Sequence, residues 1–569
     1  MLKKIARFFF AGVVILGVVV YFSYDYWLEQ QLKHKLSEII SKDPNNLYTY
    51  SFTKLNIHLL EGSVELKGIS IKPKANAFDS LARLASGMRY LIELNLAKIE
   101  LENFAIKEFL LTGKMFIRSL AIEQPEFKYY FHPRKKNTGK GIQLGSVFSD
   151  KFSEANIELL SVEGATIEVV DYTKSGPAFT IENLTIALTK AHIDSATLKQ
   201  FTPITYTDIR AKAAGVRIAA MKDFEINSDS LIFKIEKQTI EVNNFQVNPK
   251  YSQKNFARAF PVQKQWFALQ LDKLVLSRIN FPEFVHSGKV EVGHVAVIAP
   301  NIGLYKDKSK PMPPFRKKKL LASAIRAIPW SISVDSVSLT NGNITINETS
   351  ALTGRDSHLT ITALNALVLN FTNDSMHTSA NHFLTLTASA RVMSEALTQL
   401  TMRFDLTSEA DKFTATGHAG KVKASVFNPV LEPLMGVKVT NGTIYNLDFN
   451  FSAMDTLSTG TLDIEYEALK LQIMRTDTTA KKKSNKKGFV SLAANTVVKT
   501  NNLKTQGNYL QGIINTERVL EKDVWPFLWH SIQSGLVSTL VPITNNKAAK
   551  QQQKGVRQKL REKKKKGKR

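Results

Sequence analysis

The residues able to do chemistry are scattered along this chain. It has eleven histidines, and none forms the H-E-x-x-H pair of a zinc site. His377 and His382 stand nearest to one another, on a loop and at a strand start, where solvated side chains are expected. Gly139-Lys140-Gly141 with Gly145 makes a glycine-bearing loop. It lacks Walker spacing and follows no strand as G-x-G-x-x-G, so it reads as a linker. No G-x-S-x-G elbow occurs. Glu100, Glu102 and Glu168 alternate with apolar neighbours, which is the pattern of a solvated sheet face and not of a paired acid and base. Cysteine is absent, which excludes a disulfide scaffold, a thiolate metal site and a cysteine nucleophile. Sequons at Asn183, Asn343 and Asn441 would matter only in a eukaryotic secretory setting. The expectation is a non-catalytic protein with no metal site and no cofactor.

Composition points to a folded chain with anionic partners. Of 569 residues, 43% are hydrophobic and 22% charged, with a net charge of +26. Part of that charge is local: Lys547 to Arg569 holds twelve Lys/Arg and one Glu. Phospholipid headgroups, other surface phosphates or nucleic acid would answer such a balance. The basic runs sit in loops and a tail, without aromatic platforms or a helix-turn-helix pattern, so no nucleic-acid partner is expected.

The N-terminus favours lipid. Lys3, Lys4 and Arg7 precede an apolar run comprising Phe8, Phe9, Phe10, Val13, Val14, Ile15, Leu16, Val18, Val19, Val20 and Phe22. Tyr21, Tyr24, Tyr26 and Trp27 extend it to roughly the 20 residues that span a bilayer. The leading basic residues place the N-terminus in the cytoplasm. No small-x-small cleavage site follows, so an uncleaved anchor is preferred over a signal peptide. The helix is expected to run on to about Ser41, before Pro44.

From about Tyr50 the period changes to two. Val64-x-Leu66, Ile69-x-Ile71, Leu94-x-Leu96, Ile99-x-Leu101, Ile167-x-Val169, Ile240-x-Val242 and Leu447-x-Phe449-x-Phe451 are short runs bounded by Gly, Asn, Asp, Ser or Pro. They read as half-buried antiparallel strands. The body also repeats itself. Leu94 to Tyr130 aligns without gaps to Leu269 to Tyr305, with Leu94, Leu96, Lys98, Leu101, Glu108, Phe109, Gly113, Lys114, Ala121, Pro125 and Tyr130 identical to their partners. Val64 to Lys74 matches Ile240 to Lys250, Ile157 to Val169 matches Val334 to Ile346, and Phe179 to Leu188 resembles Leu359 to Leu369. Two copies of roughly 175 residues are expected, over 44–220 and 221–400. Phe109 and Phe284 should be equivalent, as should Pro125 and Pro300. A basic loop follows each copy's proline, Arg134-Lys135-Lys136 and Arg316-Lys317-Lys318-Lys319.

These phrases, with Val295 to Lys308 and the block Leu431 to Gln472, resemble the AsmA-like family of Gram-negative envelope proteins, its Bacteroidetes-type branch in particular. That family is related to the TamB-like bridge lipid-transfer proteins. In the last block the family's glycine turns and tyrosine strand correspond to Asn441-Gly442-Thr443, Gly460 and Tyr466-x-x-Leu469. The likeness covers most of residues 1–540. It implies an inner-membrane anchor and a periplasmic, taco-shaped antiparallel β-groove lined with apolar side chains. It also implies a role in carrying phospholipid toward the outer membrane.

After a C-terminal β region at 401–520, with a basic insertion near 480–488, a helix is expected at 521–545. Asp523 and Pro526 would start it. Trp525, Phe527 and Trp529 would give it a membrane-seeking face, with Ser531, Gln533, Ser534 and Ser538 as a narrow polar side. A cap closing the apolar end of the β body is the equal alternative. The basic tail, 546–569, is expected to be disordered when free, solubilising the chain or touching an anionic surface.

The whole is therefore read as a mainly β protein. An N-terminal transmembrane helix (1–43) would anchor it in the bacterial inner membrane, with the bulk of the chain periplasmic. Its elongated antiparallel groove would bind phospholipid and the membrane surface, with Leu94, Leu96, Leu269, Leu271, Phe449 and Phe451 as candidate lipid-facing residues. A non-catalytic scaffold for envelope proteins is the alternative.

Overall fold

The computed structural model describes residue 30 and residues 47–58, 61–82, 90–132, 153–197, 204–219, 223–474 and 498–541. The expected anchor, the loops at 134–136 and 139–145, the insertion near 480–488 and the basic tail lie outside the described residues. Within them the chain is mainly β, with 25 strands. It divides into two units. The first ends at Glu241 and also holds Val285–Ser287; the second takes Val242–Phe284 and everything from Gly288. The division falls inside one strand, β13 (Thr239–Pro249), and the second copy shares its unit with the C-terminal region.

In the first unit β1 (Tyr48–Ser51) and β2 (Lys54–His58) lie along β3 (Ser63–Pro73), and β3 pairs with β4 (Tyr90–Glu102). Next come β5 (Lys114–Glu123) and β6 (Glu126–Phe131), laid end to end against β4. Then follow β7 (Glu154–Asp171) and β8 (Pro177–Asp194). Beyond β8 lie β9 (Asp208–Ala213) and β10 (Gly215–Ile218), flanked by β12 (Ser230–Lys234) and β11 (Phe224–Ser228). Two helices, α1 (Ala75–Ala82) and α2 (Ile106–Thr112), sit in connections.

The second unit repeats this plan through α3 (Gln253–Ala259), β14 (Trp266–Ile279), α4 (Phe281–Ser287), β15 (Val290–Ile298), β16 (Asn301–Asp307), α5 (Leu321–Arg326), β17 (Ile332–Thr349) and β18 (Asp356–Thr372). It then continues past the repeat. After α6 (Ser375–Ala380) come β19 (Phe383–Val392), β20 (Ala396–Asp405), β21 (Phe413–Ala419) and β22 (Val422–Lys423). Helix α7 (Asn428–Met435) leads to β23 (Val437–Ala453), β24 (Leu457–Ile473) and β25 (Gly512–Glu517), and α8 (Val524–Leu540) closes the described chain.

The duplication is written into the strand registers. Leu94 opposes Phe127, and Leu269 opposes Ile302; each partner lies 175 residues on. Val169 opposes Phe179, and Ile346 opposes Leu359, which is the alignment read from the sequence. The carbonyl of Pro125 accepts from the N–H of Thr166 at 2.8 Å, and that of Pro300 from Asn343 at 2.7 Å. Helices α2 and α4 both end on a left-handed glycine, Gly113 (φ 73°) and Gly288 (φ 74°), whose N–H groups bond to the carbonyls of Phe109 and Phe284. Glycine carries no Cβ penalty there.

Two expectations are corrected. The sheet is not antiparallel throughout: β5 and β6 run parallel to β7, and β15 and β16 parallel to β17. In the second copy the connection 308–331 returns the chain to start at the same end. Period-two alternation is the same in either direction. Nor are all the runs separate strands: β7, β8, β17, β18, β23 and β24 are long and absorb several runs each. Asn441-Gly442 and Gly460, expected as turns, lie inside β23 and β24. The turn between those strands is at 454–456, where the N–H of Met454 bonds to the carbonyl of Leu457.

Candidate functional site: the apolar face of the sheet

Each long strand changes phase at residues in the left-handed region. Gly62, Gly68, Asn103, Gln124, Gly164, Asn183 and Lys190 have positive φ in the first copy. Gln238, Asn244, Arg278, Ala299, Asn341, Ala363 and Asn370 are their counterparts in the second. Gly62 and Gln238 lie in the turns that lead into β3 and β13; across most of the others the apolar spacing steps by three instead of two. Val64 and Leu66 are followed by Ile69 and Ile71 across Gly68, and Leu160 and Val162 by Ala165 and Ile167 across Gly164. A strict period of two would turn the second pair to the opposite face. A left-handed or bulged residue rotates the strand and restores the phase. Packing bears this out: Ile117 with Leu120, and Ile157 with Leu160, three apart, share one apolar cluster with Phe104, Ile106 and Phe109 of the α2 segment.

The phase changes fall in register across neighbouring strands. Gln124 lies level with Gly164 through the parallel ladder, and Asn183 with Gly164 through the antiparallel one. A Cβ on Gly164 would meet Gln124 Cγ at 3.5 Å and Asn183 Oδ1 at 3.9 Å. Apolar side chains therefore line up in rows that cross the strands. One row runs Leu55, Leu66, Ile99, Ile122, Val162, Ile186, Ala211, Phe233. In the second unit a row runs from β14 to β25 as Leu276, Val295, Val337, Val368, Leu386, Met402, Ala415, Phe451, Gly460, Ile514.

Burial along the second row changes partway. Leu276, Val295, Val337, Val368 and Leu386 are half-buried, whereas Met402, Ala415, Phe451 and Ile514 are fully buried. At that end the face is covered. Leu320, Ala322 and Ile325 of the α5 segment and Val524 and Phe527 of α8 pack with Leu384, Phe404, Phe413, Phe449 and Leu462 into the largest core. Phe413 meets Phe527 edge-on, with ring centroids 5.9 Å apart.

The opposite face is polar. Lys98 lies 2.8 Å from Glu100 and 3.0 Å from Glu123, Lys128 is 3.1 Å from Glu168, and Ser70 donates to Asn95 at 2.8 Å. The bonds the Lys98 ammonium donates to Glu100 and Glu123 hold it above the usual lysine range. Glu100 and Glu168 thus serve in surface ion pairs. Asp374 N-caps α6 and lies 3.3 Å from His377, while His382 rests against the Phe383 ring. Among the described residues no group of His, Asp or Glu could hold a metal ion.

The candidate lipid-facing residues divide. Leu94 and Leu269 are half-buried, and Leu96 and Leu271 buried. Phe449 and Phe451 are core residues beneath α5 and α8, not trough lining, because those helices close the face there. Phe527 is likewise 1% exposed and faces the sheet, which removes it from the expected membrane face; Trp525 (53%) and Trp529 (48%) point outward. The serines expected on the solvent side of α8 are also relocated, since Ser531 and Ser538 are buried against β24 and β25. No helix among the described residues is long and apolar enough to cross a membrane.

The chain matches no protein-family model and no curated protein.

Proposed function

We propose that this protein is a non-catalytic lipid-handling protein of a bacterial envelope, whose sheet shelters acyl chains on one face. It would be an AsmA-like protein held at the inner membrane by residues 8–22, with its body in the periplasm. The observation carrying this reading is the row from Leu276 to Ile514, half-buried over β14–β19 and roofed by helices from β20 onward. A row of that kind offers an acyl chain continuous apolar contact, worth about 0.8 kcal/mol per CH₂. The ion-paired opposite face keeps such a sheet hydrated.

The test is lipid extraction from the purified full-length chain, with phosphorus measured per mole of protein. The wild type should carry phospholipid. Leu276→Glu should lose it while melting close to wild type, since a half-buried charge can still hydrate. A wild-type chain that carries no lipid under mild detergent would sink the proposal and favour the scaffold.

A further inference from the structure

Where the apolar strip of the second copy reaches the strand ends, its chemistry changes. Phe267, Leu304, Ile346 and Leu359 oppose one another across β14, β16, β17 and β18. Two residues further along the same face stand Lys306 on β16 and its ladder partner Glu348 on β17. Lys308 follows and lies 2.5 Å from Glu348. The segment at 316–319 supplies Lys318, held in place by its peptide N–H, which donates to the Leu520 carbonyl at 2.9 Å, and by its ion pair with Asp523 at 3.5 Å. Buried Arg518 ties the Lys318 carbonyl to that of Lys522, donating to the latter at 2.9 Å.

The two groups act on each other through their charges: Lys522 and Lys318 bear on Lys306, and Lys308 and Glu348 on Lys522. Glu348 is taken by Lys308 and Asp523 by Lys318. Lys306 and Lys522, both half-buried, have no side-chain hydrogen bond or ion pair among the described residues. Burial, then Lys522, Lys318 and Lys308, hold the Lys306 ammonium below the usual lysine range; burial, then Lys308, do the same to Lys522, with Lys318 adding to it. Like charges gathered out of water without partners are unfavourable unless an anion joins them.

We propose that Lys306 and Lys522, braced by Lys308 and Lys318, form an anion site for a phosphate group at the end of the apolar strip. This deepens the lipid reading and rests on it: an acyl chain on Leu304 and Ile346 would place a phosphate headgroup against Lys306. A free phosphate shares that chemistry, so the source must be separated by experiment.

Binding to the full chain is measured with three probes: dihexanoylphosphatidylglycerol, dihexanoylglycerol and inorganic phosphate. The wild type should bind the phosphorylated lipid about tenfold or more tighter than dihexanoylglycerol, and tighter than inorganic phosphate. The double variant Lys306→Gln/Lys522→Gln should lose that margin, while Lys237→Gln, exposed and remote in sequence, should keep it. If inorganic phosphate binds as well as the lipid, the anion site stands and the acyl-groove reading fails. A double variant that keeps the wild-type margin overturns the site. So does one that melts below wild type without ligand, because removing unneutralised like charges should leave the fold as stable or more so.

Discussion

At the scale of single residues the fold depends on backbone conformations that side chains ordinarily avoid. Ala299 and Ala363 sit at φ 50°, and Arg278 at φ 54°, each at a phase change. The left-handed region costs an L-residue about 1–2 kcal/mol, partly offset in glycine by its greater freedom when unfolded. Ala363 is exposed, so Ala363→Gly should raise stability by about 0.5–1 kcal/mol in urea titration. Gly68→Ala should do the reverse, by about 2 kcal/mol, since its Cβ would also run into the Thr53 side chain. Asp374 makes a second residue-scale prediction. Burial alone would raise its carboxyl pKa. The hydrogen bonds from His377, Ser331 and the peptide N–H groups of Met376 and His377 outweigh that and hold it at about 2, against 3.8 unperturbed. Its folded value is depressed, so its stabilisation is present above pH 3.8 and is lost as the pH falls toward 2. A pH series should show a loss on the order of 2 kcal/mol in that window, absent in Asp374→Asn.

Among the elements, α8 shows how an edge strand can be finished. Among the described residues β25 pairs only with β24, which leaves its outer N–H groups to be satisfied. Ser538 accepts from the Ile513 N–H at 2.6 Å and Ser534 from Asn515 at 3.3 Å, while the hydroxyls of Ser531 and Ser458 lie 2.8 Å apart. Gly535 permits the close approach: a Cβ there would stand 2.7 Å from Leu462 Cβ. The small polar stripe is therefore the buried one, and Trp525 and Trp529 are left outside. Ser538→Ala should cost about 1 kcal/mol through the stranded Ile513 N–H. Gly535→Leu should cost several times as much by prising the helix from the sheet. Trp525→Ala should lie within about 0.5 kcal/mol of wild type by thermal melting.

For the molecule as a whole, equivalent backbones in the two copies carry different covers. Phe109 is 5% exposed, within the cluster beneath α2, whereas its counterpart Phe284 is 39% exposed. In the second unit one row of side chains passes from half-open to closed. A carboxylate at Met402, fully buried under the helices, would be an unpaired buried charge. Met402→Glu should lose several kcal/mol or fail to fold, while Leu276→Glu on the same row should remain folded. Circular dichroism melts of the pair would distinguish a trough with one roofed end from a uniformly packed core, in which both would fail.

The alternation of Leu, Ile and Val with polar residues determined by itself that the chain is β, and identities such as Phe109-to-Phe284 and Pro125-to-Pro300 determined that it repeats. Both are local or self-referential signals: i and i+2 share a face whatever lies beside them, and a duplicated segment carries its register with it. The candidate site was legible as apolar positions alone: Leu94 and Leu269 are half-buried, Leu96 and Leu271 buried. Asn441-Gly442 read as a turn because turns favour the same residues; whether such a pair reverses a strand or only resets its phase depends on the neighbouring strand. The parallel pairing of β5 with β7, the burial of Phe451 under helices and of Phe527 against the sheet, and the gathering of Lys306 with Lys522 were likewise decided only in three dimensions. Each depends on contacts between residues far apart in the chain, and strand alternation is the same whichever partner a face meets.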